Sequence, residues 1–204
     1  MNIYPRLLIR LIVLSVVVFL FGCGAAPTIR DSKIINKAAV QTDRLIFVYR
    51  QSEMKTTSSY GKGSANQGET GFYEFGKFLI NQAPNVFETY GVKVTNSREL
   101  EARFPLSIHD TIGTANPVDK VLLLHATSGH VSANNHATRI SYIFEAQLLD
   151  VPTRKLIWKA SIDTSTWSGR DFLQKNIEKT TYDDKYAKQL LQVVAKKLKE
   201  DGVI

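Results

Sequence analysis

The 204-residue chain holds one cysteine, Cys23. An internal disulfide framework is therefore excluded, and so is a metal site built on several thiolates. No apolar run reaches the roughly 20 residues a membrane-crossing helix needs. The longest, Leu11 to Phe21, is about half that and is interrupted by Ser15. Acidic residues are missing before Asp31. The phosphate-loop ending Gly-Lys-Ser/Thr, a Ser nucleophile elbow and a Cys–His pair are also missing, which removes the common signatures of nucleotide and acyl-transfer chemistry. Basic and aromatic residues do not interleave as they do on nucleic-acid-binding surfaces.

What is present begins with a secretory layout: Arg6 and Arg10 precede the apolar run, and small residues follow it. Leu20-Phe21-Gly22-Cys23 resembles the bacterial lipobox, with Phe21 bulkier than the usual small residue there. That resemblance implies diacylglyceryl transfer to the Cys23 thiol, cleavage before Cys23 and acylation of the new amino group. Several acyl chains hold a protein firmly where one holds it marginally. Gly24, in place of Asp, implies the outer membrane, with the domain in the periplasm. The expected organisation is a signal peptide over 1–22, a lipidated tether over 23–43 and one α/β domain over 44–204. Loss of Arg6 and Arg10 lowers the formal charge from +7 to about +5.

Along the mature chain, Gly24 to Arg30 reads as tether and Ser32 to Val40 as a short helix. Leu45 to Tyr49 suits a strand buried on both faces. Gln51 to Thr70 reads as a polar, glycine-rich loop. Phe72, Phe75, Leu79, Ile80, Ala83 and Phe87 recur at helical spacing, with Thr70 as N-cap, a kink at Pro84 and Gly91 as a left-handed stop. Val92 to Thr95 starts a strand and Ser97 to Phe104 reads as a short helix, with Pro105 to Val118 irregular. Lys120 to Thr127, then Ile140 to Leu148, then Leu156 to Ile162 read as an antiparallel meander, the last two alternating apolar and polar residues. A helix starting near Thr181 buries Tyr186, Leu190, Leu191, Val194 and Leu198. The expected fold is a two-layer α/β sandwich: a mixed sheet of about five strands (β-α-β, then the meander) with a packed C-terminal helix.

Candidate sites are few. Tyr60, Gly61 and Gly63 lie in the polar loop, and Trp167 follows the last strand; all four are candidate partner contacts, as exposed aromatics favour interfaces. His125, His130 and His136 flank the proposed hairpin turn and are the residue type that binds zinc or copper. They lack a fixed spacing and a nearby carboxylate, so no metal is assigned and no cofactor is expected. Glu145 and Asp163 fall on the polar sheet face, where paired carboxylates can do acid–base work, but solvated face charges are the commoner case.

The order strand, Gly/Ser-rich loop, aromatic helix ending at Gly91, strand, then Tyr142…Ala146-x-Leu148-x-Asp150-x4-Lys155-x2-Trp158 and a Lys-rich helix is similar to envelope lipoproteins with a TolB amino-terminal-like domain. These include curli-secretion lipoproteins and lipoprotein activators of penicillin-binding proteins. The resemblance implies a non-enzymatic module, anchored through Cys23, that docks on other envelope proteins; it transfers no site residue. The alternative is a periplasmic carrier of a small ligand or metal.

Overall fold

Leu45 to Tyr49 is buried along its whole length, as an uninterrupted apolar run must be when it lies inside a sheet. A computed structural model of the chain describes residues 26–36, 41–50, 57–58, 65–100, 120–133, 138–165 and 183–204. The elements are β1 (Thr28–Ile34), β2 (Arg44–Arg50), β3 (Thr57–Ser58), α1 (Ala65–Glu88), β4 (Lys93–Leu100), β5 (Lys120–Ala133), β6 (Thr138–Asp150), β7 (Lys155–Asp163) and α2 (Asp184–Glu200). The strands form one mixed sheet in the order β1-β7-β6-β5-β2-β4, with β3 paired to β5 beyond the end of β2. β2 is parallel to both β4 and β5. β5, β6, β7 and β1 follow one another antiparallel. The β-α-β unit and the meander are therefore present in one α/β sheet.

Both helices cover the same face. Phe75, Leu79, Ala83 and Phe87 of α1 and Leu190, Leu191, Val194 and Leu198 of α2 pack on Leu45, Phe47, Leu122, Phe144, Ala146 and Trp158. Each fully buried Leu, Val or Phe among them contributes about 1.5–3 kcal/mol. On the opposite face a smaller cluster, Ile46, Val48, Val121, Leu123, Leu149 and Val151, is buried as well. That cluster centres on β2 and β5 and takes in Leu149 and Val151, with Leu100 and Leu156 packed against it. Glu145, Gln147, Lys159 and Ser161 on β6 and β7 are half-exposed on that same face.

The two helices end alike. At α1, Val92 N–H donates to the Phe87 carbonyl at 3.1 Å and Gly91 N–H to Glu88 at 2.9 Å, with Gly91 at φ 83°. At α2, Val203 N–H donates to Leu198 at 2.9 Å and Gly202 N–H to Lys199 at 3.0 Å, with Gly202 at φ 70°. Each is the paired-bond stop that a glycine in the left-handed region allows, sealed by an apolar contact across the turn. Pro84 lies inside α1 on its exposed side. The hydrogen bond it cannot make is therefore lost where water can replace it.

Several expectations need correction. Residues 28–34 are neither tether nor helix: β1 pairs with β7 from Thr28↔Asp163 to Ile34↔Trp158, so the folded region begins well before residue 44. Only Ile29 and Ile34 supply apolar character there, and edge pairing outweighed the weak local signal. Ser97 to Leu100 belongs to β4 because pairing with Phe47 to Arg50 outweighs a locally helical composition. Helix α1 starts at Ala65, so Thr70 is inside it and the loop assigned to 51–70 is shorter. Helix α2 starts at Asp184, with Asp183 as the cap accepting from Tyr186 N–H. β5 continues to Ala133, well beyond Thr127, the expected end of that strand. Seven strands replace about five.

Candidate functional site

Among the described residues, a row of polar side chains lies at the carboxyl ends of parallel β2 and β5, the edge where open α/β sheets commonly bind ligands. Register places Arg50 (β2), His125 (β5), Glu145 (β6) and Ser161 (β7) in one row across the sheet. The row lies on the face without helices, because Tyr49, Leu124, Phe144 and Ala160 alternate with it into the helix-covered core. His125 is half-buried, and its Nδ1 is buried without a hydrogen-bond partner among the described residues. Burial pushes its pKa down; Glu145 opposes that and Arg50 reinforces it.

Glu145 and Asp163 do not form a dyad. Asp163 lies opposite Ile143, two positions along β6 from Glu145. Its carboxylate takes the Arg30 guanidinium at 2.6 and 3.0 Å and the Ser165 backbone N–H at 2.8 Å. Partial burial raises the Asp163 pKa, but those hydrogen bonds outweigh it and hold the carboxyl below its ordinary value. Glu145 accepts from the Gln147 amide. Each carboxylate is thus occupied separately, and the arrangement has no shared proton.

On the helix-covered face, Tyr49 and Tyr142 are buried beneath α1 and α2. Burial drives both phenols up, Tyr142 to about 12; for Tyr49, Glu99 and Tyr142 add to the effect. Gly76 of α1 lies over the Tyr49 ring so closely that a Cβ there would stand 2.6 Å from Cε1. Spacing had shown Tyr49 as a core residue; the contact with Gly76 is visible only once α1 is laid on β2.

Cys23, Tyr60, Gly61, Gly63 and Trp167 lie outside the described residues, as does His136. His130 pairs with Ser141 and with Thr57. Its partner Ser141 is four positions along β6 from Glu145, the partner of His125, so about 13 Å of strand lies between the two histidines. Among the described residues no three His, Cys, Asp or Glu side chains converge as a metal site would require. Nor is any described helix long and apolar enough to cross a membrane.

The Asp150…Lys155-x2-Trp158 motif has a structural role. Asp150 pairs with Lys120 and accepts from Thr153 N–H at 3.1 Å, closing a turn that holds Arg154 at φ 56°. Trp158 donates its indole N–H to Asp201 at 2.7 Å, tying β7 to the end of α2. At the other end of the sheet a shallow cleft of about 380 Å³ lies between Thr42, Asp43, Tyr90 and Ile204.

No protein-family model matches the chain, and no curated protein sequence does. Solved structures with a similar arrangement include the PelC dodecamer from Paraburkholderia phytofirmans, at 14% identity and a TM-score of 0.42, covering 84% of this chain and 96% of that one. A neuraminyllactose-binding hemagglutinin homolog from Helicobacter pylori matches at 12% identity and 0.39, over 83% and 95%. Lipoprotein GNA1162 from Neisseria meningitidis matches at 11% and 0.34, over 75% and 98%. Likenesses this slight transfer neither an activity nor a partner.

Proposed function

We propose that the chain is a lipoprotein held in the outer membrane through Cys23, and that its domain is a non-enzymatic docking module for other envelope proteins. The observation that supports this reading is the short stretch of sequence between Cys23 and the first strand. Thr28, already paired in the sheet, is five residues beyond Cys23, so an extended connection spans at most about 17 Å. A domain so tethered stays in the first layer of proteins above the lipid, where partners must come to it.

Two features suit docking. Both helices sit on one side of the sheet, and the β6–β7 part of the other side is polar and half-exposed. β1 and β4 are sheet edges among the described residues, and unpaired backbone groups at an edge can accept a strand from a partner. The similarity to TolB amino-terminal-like envelope lipoproteins points the same way. The test is crosslinking in living cells with mass spectrometry, comparing the native protein with Cys23→Ala. A discrete envelope partner, lost or weakened without the anchor, is the expected result. No partner above background overturns the docking module.

A further inference from the structure

Helix α2 has two unlike sides. Ala187, Leu190, Leu191, Val194, Ala195 and Leu198 are buried against the sheet. Lys185, Lys188, Gln192, Lys196 and Lys199 are all exposed. At 3.6 residues per turn these five fall within an arc of about 80° and make one stripe about 21 Å long. The helix dipole accounts for cations in the last turn, Lys197 and Lys199, but it disfavours Lys185 in the first.

The stripe is little neutralised. Among the described residues, Lys196 has Glu200 at 3.7 Å, an exposed pair of small effect, while Lys185, Lys188 and Lys199 make no ion pair. Asp184, one turn before Lys188, accepts instead from the Gln82 amide of α1 at 2.7 Å. From residue 75 onward α1 adds only Lys77 and Glu88, which cancel. Nothing large and apolar lies on the stripe; the exposed large apolar side chain of the described residues is Ile35. Such a face suits a charged surface it can lie on, not insertion among acyl chains. An ammonium is a compact point charge without the fork that matches a single carboxylate, so four in line suit an array of phosphates.

The chain departs toward Cys23 beside this helix. β1 is the edge strand next to β7. Asp201, at the end of α2, takes hydrogen bonds from Trp158 on β7 and from Ser32 on β1, so α2 covers that edge of the sheet. A helix with its side chains is about 10–12 Å thick. The five-residue connection from Thr28 to Cys23 reaches at most about 17 Å. That length lets the outer face of α2 come down to the headgroups and leaves little further clearance.

We propose that the lysine stripe of α2 lies on the anionic phospholipid headgroups of the leaflet that holds the Cys23 lipid. The helix layer then faces the membrane, and the sheet face carrying Glu145, Gln147, Lys159 and Ser161 faces away from it, open to partners. The proposal rests on the anchored-lipoprotein reading above.

The experiment uses the full lipidated protein on phospholipid vesicles containing phosphatidylglycerol. Acylated Cys23 has no free thiol, so Gln192→Cys, in the middle of the stripe, introduces the single site for a fluorescent label. Ser161→Cys, on the sheet face away from the helices, is the control. A headgroup spin-labelled lipid should quench the label at residue 192 and leave the control unquenched. Lys188→Gln with Lys199→Gln should lower the docked-to-undocked ratio about 20-fold, about fivefold for each basic residue at an anionic surface. Added salt should weaken the quenching in the same direction. With the protein held on vesicles by its lipid, equal quenching at both positions, or quenching at 192 that survives the double substitution, overturns the docking of α2 alone. A label at 192 that stays unquenched overturns it too, and a crosslink from Lys188 to an acidic protein segment would then name the occupant. A free Cys23 thiol and a protein that leaves the vesicles overturn the anchor and the docking together.

Discussion

Gly76→Ala sets two effects of known size against each other. Alanine in a helix interior is favoured over glycine by about 1 kcal/mol, so on propensity the change should stabilise α1. The structure predicts the reverse. A Cβ at residue 76 would lie 2.6 Å from Tyr49 Cε1, 2.7 Å from Tyr49 Cδ1 and 2.9 Å from Glu99 Oε1. The Glu99 carboxylate ends a flexible side chain and can move. The Tyr49 ring is fully buried in the core between β2 and α1 and has nowhere to retreat. Overpacking of this kind costs about 1–3 kcal/mol, and more where the neighbour is a rigid ring. The expected net loss is about 1–2 kcal/mol, or about 2–8 °C in Tm for a domain of this size. The assay is thermal unfolding by circular dichroism of the purified protein in detergent. Tyr49→Leu, which removes the ring, should make Gly76→Ala neutral or stabilising in the double variant, giving a coupling energy above 0.5 kcal/mol in the cycle. An unchanged or raised Tm for Gly76→Ala alone would refute the close approach of helix to strand.

Other consequences follow from the buried polar groups. Trp158→Phe keeps an aromatic ring but removes the donor to Asp201; a loss of about 2–4 kcal/mol is expected in urea unfolding, and retention of wild-type stability would refute the tie between β7 and α2. Asp150, Asp163 and Asp201 each carry a pKa lowered by their hydrogen bonds against the opposing effect of burial. The stability they contribute is present above the ordinary carboxylate range and lost as pH falls through their lowered folded values, so the urea midpoint should fall steeply below about pH 4. Tyr142, raised to about 12, and Tyr49, raised further by deeper burial, should remain protonated when exposed tyrosines ionise near pH 10. Absorbance titration should show a delayed fraction that vanishes in denaturant. Cys23→Ala should move the protein out of the membrane fraction, since acyl chains are its expected hold on the bilayer.

Much of the architecture is written in short-range pattern. The unbroken apolar run of β2, the alternation along β6 and β7 and the 3–4 spacing of Phe75, Leu79, Ala83 and Phe87 each identify an element by its own periodicity. Gly91 marks a helix end because its left-handed conformation is costly for residues with a Cβ. Leu20-Phe21-Gly22-Cys23 resembles a lipobox in four adjacent residues, so the proposed anchor is likewise a local reading. Pairing partners have no such local mark. β1 carries mixed charges and only two isoleucines, and becomes a strand because β7 presents a free edge. Ser97 to Leu100 has helical composition and is held extended by β2. The bulge between Ala126 and Ser128 shifts the register of β5 against β6, which no reading of β5 alone would predict. The pairing of Thr28 with Asp163, and the approach of Gly76 to Tyr49, depend on residues tens to more than a hundred positions apart. The sequence by itself determined most of the elements, because periodicity acts over a few neighbouring residues. Tertiary structure decided which strands pair, which helix meets which ring and which carboxylates are already occupied, because those are properties of distant segments brought together.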